Sequence, residues 1–156
     1  MRPICMLVLA LSGCVFNNMS AEETLRDSVV GLNDECRWNR FDLAAQRVEA
    51  PYRNQFRLTH HSWHRDFQIA DSEIMGVEVG EGRERATSLV HVSWYDHATM
   101  ILHDTTLKQT WKRGVNGYFL VSEEVAEGNE RLLEIPEELL PDEDEEEESE
   151  DDDEPA

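Results

Sequence analysis

Apolar residues recur with a helical period near the start of the chain. Steps of four, three and four residues separate them, which places them on one face of an α-helix. They are Leu25, Val29, Leu32 and Cys36. Ser20, followed three residues later by Glu23, has the form of a capping box. We therefore predict a helix that begins after Ser20.

A second apolar stripe follows at an offset from the first. It consists of Trp38, Phe41, Ala45 and Val48. The offset predicts a bend or break between the stripes, at Gly31 or at the pair Asn33 and Asp34. Pro51 restricts the residue before it and ends the segment. One further helix with an aromatic face is then predicted from Tyr52, Phe56, Thr59 and Trp63.

From residue 67 onwards the pattern changes to the alternation typical of strands. Met75, Val77 and Val79 alternate in the first strand, up to a turn at residues 80–82. The second strand carries large groups on both faces, so we predict that it is central and covered on both sides. One face holds Ala86, Val90, Val92 and Trp94, and the other holds Thr87, Leu89, His91, Ser93 and Tyr95.

Two more strands complete an antiparallel meander. Residues 100–112 form the third, and Trp111 near its end is a predicted core residue. Asn116 and Gly117 are a strong hairpin signal before the last strand. A closing segment is predicted from Leu132, Leu133 and Ile135. Helices followed by such a meander predict an α+β domain over residues 22–135.

This order of elements resembles the nuclear-transport-factor-2-like (NTF2-like, or cystatin-like) fold, in which a curved sheet wraps around an N-terminal helix to form a cone. The resemblance covers residues 22–124, and most of its carriers are packing residues. They are Leu32, Asn33, Arg37, Trp38, Phe41, Ala44, Ala45, Pro51, Gln109, Trp111, Gly117, Tyr118, Phe119 and Leu120. The chain is also similar to uncharacterised proteobacterial lipoproteins of the same layout. The resemblance implies a fold and says little about chemistry.

The N-terminus has the composition of a signal peptide. Arg2 supplies a positive charge, and residues 4–11 form an apolar run. This run is shorter than the roughly 20 apolar residues that a membrane-spanning helix needs. The residues that end it resemble a bacterial lipobox: Leu11, Ser12, Gly13 and Cys14. The resemblance implies cleavage before Cys14 and lipidation of its sulfur and new N-terminus. The alternatives are a secretory peptide cleaved at another small residue and a buried N-terminal segment.

Lipidation of Cys14 would make residues 1–13 a signal peptide and residues 14–21 a short tether. Three acyl chains attach a protein firmly, because each buried methylene contributes about 0.8 kcal/mol. Val15, rather than aspartate, follows Cys14, and by resemblance this implies sorting to the outer membrane. The lipid bilayer is therefore a predicted partner, with the domain facing the periplasm.

Cys36 is the cysteine that would remain without lipid in the mature chain, because Cys5 lies in the signal peptide. No intramolecular disulfide is then expected. An unpaired exported thiol is a candidate reactive group. The place of Cys36 in the apolar stripe favours instead a small apolar residue of the helix core.

Charge is concentrated at the C-terminus. Residues 142–154 hold 12 of the 34 acidic residues and no basic one, so without them the net charge is −8 rather than −20. The apolar residues after Leu140 are only Pro141, Pro155 and Ala156, and we predict that residues 136–156 are a disordered acidic tail. A solvating role is the simpler interpretation, and loose capture of Ca²⁺ or of a basic partner is the alternative. The negative charge argues against nucleic acid as a partner.

Histidines after the aromatic helix are weak candidates for metal ligands. His60 and His64 are four residues apart, a helical spacing that presents two imidazoles to one ion. Asp66 is a candidate third ligand. No known metal motif is complete here, so a solvated helix end is the preferred interpretation, and we expect neither a metal nor a cofactor.

The family that this chain resembles includes enzymes such as ketosteroid isomerases and dehydratases. These enzymes place an Asp or His base and Tyr donors inside the cone. The candidates of these types are Asp71, His91, Tyr95 and Asp104. His91 and Tyr95 share a strand face that would point into the cone. None of the four matches a family motif, so surface or hydrogen-bonded strand positions are the alternative.

Two classes of function remain. The first is a non-catalytic envelope lipoprotein that binds a partner protein or a small apolar ligand. The sequence does not define its oligomeric state, and a dimer is one of the options. The second is a small enzyme that uses general acid–base chemistry in the cone. An interior filled by aromatic side chains favours the first, and an open cavity lined by two titratable groups favours the second. The aromatic residues in question are Trp38, Phe41, Trp63, Trp94 and Trp111.

Overall fold

A computed structural model describes residues 19–140. Their architecture is α+β, with N-terminal helices followed by a four-stranded antiparallel sheet. The predicted signal peptide, the candidate lipidation site Cys14 and residues 141–156 of the predicted tail lie outside the described residues.

Helix α1 spans Ala21–Arg37 and begins with the predicted capping box. The Glu23 backbone N–H donates to Ser20 Oγ at 3.1 Å, and the Ser20 N–H donates to Glu23 Oε2 at 2.7 Å. The predicted apolar stripe of α1 is buried throughout: Leu25, Val29, Leu32 and Cys36. These contacts confirm the helix start and its inward face.

The predicted break inside α1 is wrong. The helix runs unbroken through Gly31 and Asn33 to Arg37, and the chain turns only at Asn39, whose φ is 58°. Gly31 has a packing role, because a Cβ there would lie 2.5 Å from the Arg47 guanidinium carbon.

Short helical turns replace the second long stripe. Helix α2 spans Phe41–Ala44, 3₁₀ turns cover Ala45–Arg47 and Ala50–Tyr52, and helix α3 spans Arg53–Thr59. Trp38 caps α1 and is 62% exposed, so it does not belong to the buried stripe. Trp63 lies in the turn beyond α3, where its indole N–H donates to the Leu132 carbonyl at 2.7 Å.

The strands are β1 (Phe67–Val79), β2 (Arg85–Asp96), β3 (Leu102–Gly114) and β4 (Gly117–Gly128), and they pair in the order β1-β2-β3-β4. Strand β2 is central, as predicted. It is covered on one face only, because the helices pack on that face, whereas Leu89 on the other face is 43% exposed. The prediction of cover on both sides is therefore wrong.

Bulges interrupt the alternation in β1 and β4. In β1 the register shifts between Ile74 and Gly76, so Met75 falls out of line with Val77 and is 62% exposed. In β4 the register shifts after Leu120. Because a bulge inserts one extra residue, the residues beyond it change face.

The space between the helices and the sheet is filled by large side chains. Trp94, Trp111 and Phe56 are fully buried. The indole N–H of Trp111 donates to Ser88 Oγ at 2.9 Å, which satisfies its polar atom inside the core. Leu132, in the 3₁₀ turn Glu130–Leu133, is fully buried and closes the core as predicted.

The start of the predicted tail is ordered, since Glu137–Leu139 form a 3₁₀ turn. Within residues 19–140, no helix is both long and apolar enough to cross a bilayer.

The outer edge of β4 is covered by the segment that joins α2 to α3. The Glu49 N–H donates to the Leu120 carbonyl at 2.8 Å. The Tyr52 hydroxyl accepts from the Glu123 N–H at 3.1 Å and lies 3.5 Å from the Glu123 carbonyl.

Candidate functional site

A group of polar side chains lies inside the otherwise apolar core, and we refer to it as the buried polar cluster. It joins α1, the end of α3 and three strands. Its members are Asn33, His60, Ser88, Gln109 and Glu123. The side chains of His60 and Glu123 are each 2% exposed, and Gln109 is fully buried.

Amide groups hold one end of the cluster in a fixed arrangement. Asn33 and Gln109 exchange two hydrogen bonds, of 3.1 and 3.0 Å. Gln109 also donates to Glu123 Oε1 at 2.7 Å. Ser88 donates to Gln109 Oε1 at 3.0 Å. These bonds fix which atom of Gln109 is oxygen and which is nitrogen, and they orient the carboxyl group.

His60 meets the other oxygen of that carboxyl. Its Nε2 lies 3.2 Å from Glu123 Oε2. Its Nδ1 lies 2.9 Å from the Phe56 carbonyl, and a carbonyl can only accept, so Nδ1 carries a proton. The rings of Phe56 and Trp63 lie 4.2 and 4.5 Å from the imidazole, centroid to centroid, and exclude water from it.

The His60–Glu123 contact requires a proton of its own. With Nδ1 protonated, a neutral imidazole would present the lone pair of Nε2 to Glu123 Oε2. Two lone pairs repel, and an unpaired buried charge is costly. Within the described residues Glu123 Oε2 has no hydrogen-bond donor, so the contact is satisfied only when a proton lies on Nε2 or on Oε2.

Burial and the charge of Glu123 raise the pKa values of two neighbouring groups, Tyr52 and Cys36. Burial, together with the charge of Glu123, raises the pKa of Tyr52 to about 12. Burial raises the pKa of the Cys36 thiol well above its ordinary value, and Glu123 and Glu35 raise it further. Because only a thiolate is a strong nucleophile, Cys36 matches the core interpretation rather than the reactive one.

Sequence reasoning identified part of this cluster and missed its centre. The sequence indicates His60 by its spacing from His64, Gln109 as a packing residue and Asn33 as a point where the helix could bend. Glu123 was missed because simple alternation from the buried Leu120 places it on the outer face, and the bulge in β4 turns it inward. The signal available was Gln109, which shares the inward face of β3 with Leu107 and Trp111.

The weak metal-ligand candidates His60 and His64 do not converge on one site. His60 lies at the C-cap of α3, and His64 lies beyond the helix with a φ of 60°, so the helical spacing is lost. His64 Nε2 contacts the Cys36 carbonyl at 2.9 Å, away from His60's partner Glu123. Across residues 19–140 there is no group of three or more ligand side chains that could hold a metal ion.

The four acid–base candidates do not point into the interior. His91 and Tyr95 lie on the open face of β2. His91 Nε2 is 3.3 Å from Asp104 Oδ1, which also accepts from Ser93 Oγ at 2.6 Å. Asp71 forms a 2.8 Å ion pair with Arg37. The expectation that His91 and Tyr95 point into the interior is wrong, because the helices pack on the other face of the sheet.

The aromatic candidates divide between core and surface. Trp63, Trp94 and Trp111 are buried, Phe41 packs partly buried against the core, and Trp38 is exposed. The three buried tryptophans fill the interior instead of lining an open pocket. A separate cleft of about 380 Å³ lies between the first helices and the β3–β4 hairpin, where the Glu35–Arg47 ion pair forms part of its wall.

Comparison with known proteins supports the fold alone. No family profile matches the chain, and no curated protein sequence matches it. A similar solved structure is that of a SEC-C motif containing protein from Rhodopseudomonas palustris. The two share 10% sequence identity with a TM-score of 0.51, over 61% of this chain and 73% of the other. At this identity the likeness shows a shared α+β fold.

Proposed function

We propose that this chain is a lipid-anchored protein of the bacterial envelope whose α+β domain binds a partner without catalysing a reaction. The anchor is the lipidated Cys14 at the end of the apolar run, and the outer membrane is the proposed location. The domain faces the periplasm and has an NTF2-like fold. The order of elements, with helices first and an antiparallel meander after them, supports this last part of the proposal.

The main support for a binding role is that side chains fill the interior of the domain. Trp94, Trp111 and Phe56 occupy the space where an enzyme of this shape would need its substrate. The titratable pair in the core, His60 and Glu123, is 2% exposed on each side and is closed to solutes. Recognition therefore takes place on the outside of the domain.

The anchor is tested by Cys14→Ser. In cells labelled with radioactive palmitate, we expect the variant to lose the label and either to remain unprocessed or to appear in the soluble periplasmic fraction. Cys5→Ser is the matched control and should keep both label and membrane fractionation. Unchanged labelling and processing of Cys14→Ser would refute the lipid anchor.

The binding role is tested with a photo-crosslinking amino acid placed on the surface of the anchored protein. Exposed apolar side chains at the β2–β3 turn, Met100 and Ile101, are 68% and 56% exposed and make Ile101 a suitable position. Val30, 49% exposed on α1, is the control position. A discrete crosslinked protein from Ile101 that is lost in Met100→Asp supports surface recognition. Equal products from both positions would indicate random collision and contradict it.

A small NTF2-like enzyme is the second candidate, and the convergence of His60 and Glu123 favours it. These two groups would move a proton between Nε2 and Oε2 if the core opened to admit a substrate. Hydrogen exchange by NMR distinguishes the two functions. A closed binding module keeps the Glu123 and Trp111 amides protected up to the free energy of global unfolding, whereas an enzyme that admits substrate exchanges them by a local opening.

A further inference from the structure

Strand β1 forms one edge of the sheet, because the strands pair in the order β1-β2-β3-β4. The opposite edge, on β4, is covered by the segment that joins α2 to α3. The first part of β1 is covered as well. The Phe67 carbonyl accepts from the His64 N–H at 2.7 Å, and the Ala70 carbonyl accepts from Arg37 Nη2 at 2.9 Å. Within residues 19–140 no such cover lies over residues 72–79, which we call the open edge.

Backbone groups of the open edge point away from the sheet at alternate positions. The Gly80 N–H donates to the Arg85 carbonyl at 2.9 Å and so points towards β2. Bonded and non-bonded pairs alternate along an antiparallel ladder, so the next pair, Val79 and Ala86, is a non-bonded one. The same holds for the partners of every second residue further along β2. The edge residues whose N–H and C=O groups point outward are Ser72, Ile74, Val77 and Val79. In the described part of the chain, no other segment bonds to them.

Side chains along the open edge divide by face. On the helix side, apolar side chains pack against the core but are only half-buried: Ile74, Val77 and Val79. On the open face, Glu73 lies beside His91 and Glu78 lies beside Thr87. Both carboxylates are exposed. An added strand would therefore place every second side chain over the apolar border of the core and the intervening side chains beside carboxylates.

A second copy of this chain fits the open edge poorly. Two antiparallel β1 strands match their outward backbone groups when Ser72 lies opposite Val79 of the other copy. This register also places Glu73 opposite Glu78, once on each side of the symmetry axis. Like charges directly opposite one another destabilise a sheet, and the net charge of −20 on each chain adds to the repulsion. The charge of the edge therefore favours a basic occupant.

We propose that the open edge binds an extended segment of another protein in which apolar and basic residues alternate. The segment adds a fifth strand beside β1, and its backbone bonds to the outward-directed groups. Its apolar side chains cover the half-buried ones on the helix side, and its Lys or Arg side chains meet Glu73 and Glu78. Backbone bonds supply the affinity, and the two carboxylates supply the sequence preference. This role is independent of the lipid anchor and of the β2–β3 turn.

A synthetic nonapeptide of alternating lysine and valine tests the proposal with the full-length chain. We expect it to slow hydrogen exchange of the four outward-directed amides by about tenfold or more, as measured by NMR. The Leu120 amide, on the covered strand β4, should be unaffected.

Two methylated peptides separate backbone bonding from charge. Bonded residues on neighbouring strands share a face, so the valines of the peptide lie opposite the outward-directed residues. N-methylation of the valine amides keeps every charge, including any attraction to the acidic residues 142–154, but removes the donors to the edge. This peptide should give no protection. N-methylation of the lysine amides, which face away from β1, should leave the protection intact.

Matched variants of the protein test the two carboxylates. Glu73→Gln with Glu78→Gln should weaken binding of the lysine–valine peptide by about three- to tenfold. Glu124→Gln with Glu127→Gln, two exposed carboxylates of β4, should leave it unchanged. Absence of protection by the lysine–valine peptide, or equal protection by the valine-methylated one, overturns the proposal. Equal binding of a glutamate–valine peptide also overturns it. Protection of the same amides without any peptide, together with a dimer in sedimentation, would assign the edge to a second copy instead.

Discussion

At the scale of single residues, the most informative feature is a carboxyl group placed in a hydrophobic core. Glu123 is oriented by Gln109 on one oxygen and meets His60 on the other. A buried pair of this kind adds little net stability compared with an apolar pair, but removal of one partner leaves the other unpaired at high cost. The cluster therefore fixes how α1, α3 and the sheet fit together.

Two substitutions of Glu123 separate charge from hydrogen bonding. Glu123→Gln can still accept from Gln109, and its amide can donate to the lone pair of His60 Nε2, so we expect a change in unfolding free energy within about 1 kcal/mol. Glu123→Ala leaves two buried groups unpaired and should lose about 3–5 kcal/mol. Urea denaturation at neutral pH measures both. An equal loss in the two variants would show that the carboxylate charge itself is required.

At the scale of elements, the sequence predicts where periodicity is regular and fails where the backbone departs from it. The start of α1 follows from Ser20 and Glu23, and the burial of Trp111 follows from its strand. The exposure of Met75 and the inward turn of Glu123 do not follow, because bulges in β1 and β4 change the face of each strand. A bulge depends on pairing with a distant strand, which a local pattern does not contain.

The β3–β4 hairpin follows from the local sequence, because the turn at residues 114–117 is present with Gly114 paired to Gly117 and Val115 and Asn116 as its loop residues. The candidate site, by contrast, was predictable only in part. His60 is visible in the sequence as one of three clustered histidines, whereas its partner on β4 lies 63 positions further along the chain.

The cap of α1 gives a prediction for a whole element. Ser20→Ala removes the side-chain acceptor for the Glu23 N–H and should cost about 1 kcal/mol of stability by urea denaturation, whereas Ser20→Asp should cost little. The Ser20 backbone N–H bond to the carboxylate lowers the pKa of Glu23. The stability that this hydrogen bond contributes is fully present above the ordinary glutamate pKa. It is lost as the pH falls through the lowered pKa of Glu23. Equal stability of Ser20→Ala and the parent chain would contradict the role of the cap.

At the scale of the whole molecule, the domain has one covered and one open side. Among residues 19–140, the helices and the closing residue Leu132 complete the core on one side of the sheet. The open side of the sheet carries His91 and Asp104 in contact with water. Under the proposed function, partner binding uses the outside of the domain, so stability and binding would change independently.

Removal of the tail tests this separation. A chain truncated after Pro141 loses no apolar residue other than Pro155 and Ala156. The midpoint of thermal unfolding at physiological salt should stay within about 2 °C of the parent value, since a larger shift requires the loss of roughly 1 kcal/mol. Calorimetry measures this midpoint. A drop well beyond this range would mean that the tail packs on the core.

The cover over β4 has a consequence for neighbouring copies of the protein. A lipid anchor would confine many copies to a plane, where side-by-side encounters are frequent and an open strand edge would template sheet growth. Glu49 and Tyr52 already occupy the backbone groups of Leu120 and Glu123 on that edge. Further along the strand, Glu124 and Glu127 place like charges on any approaching copy. Neighbouring molecules would therefore not join their sheets through the β4 edge.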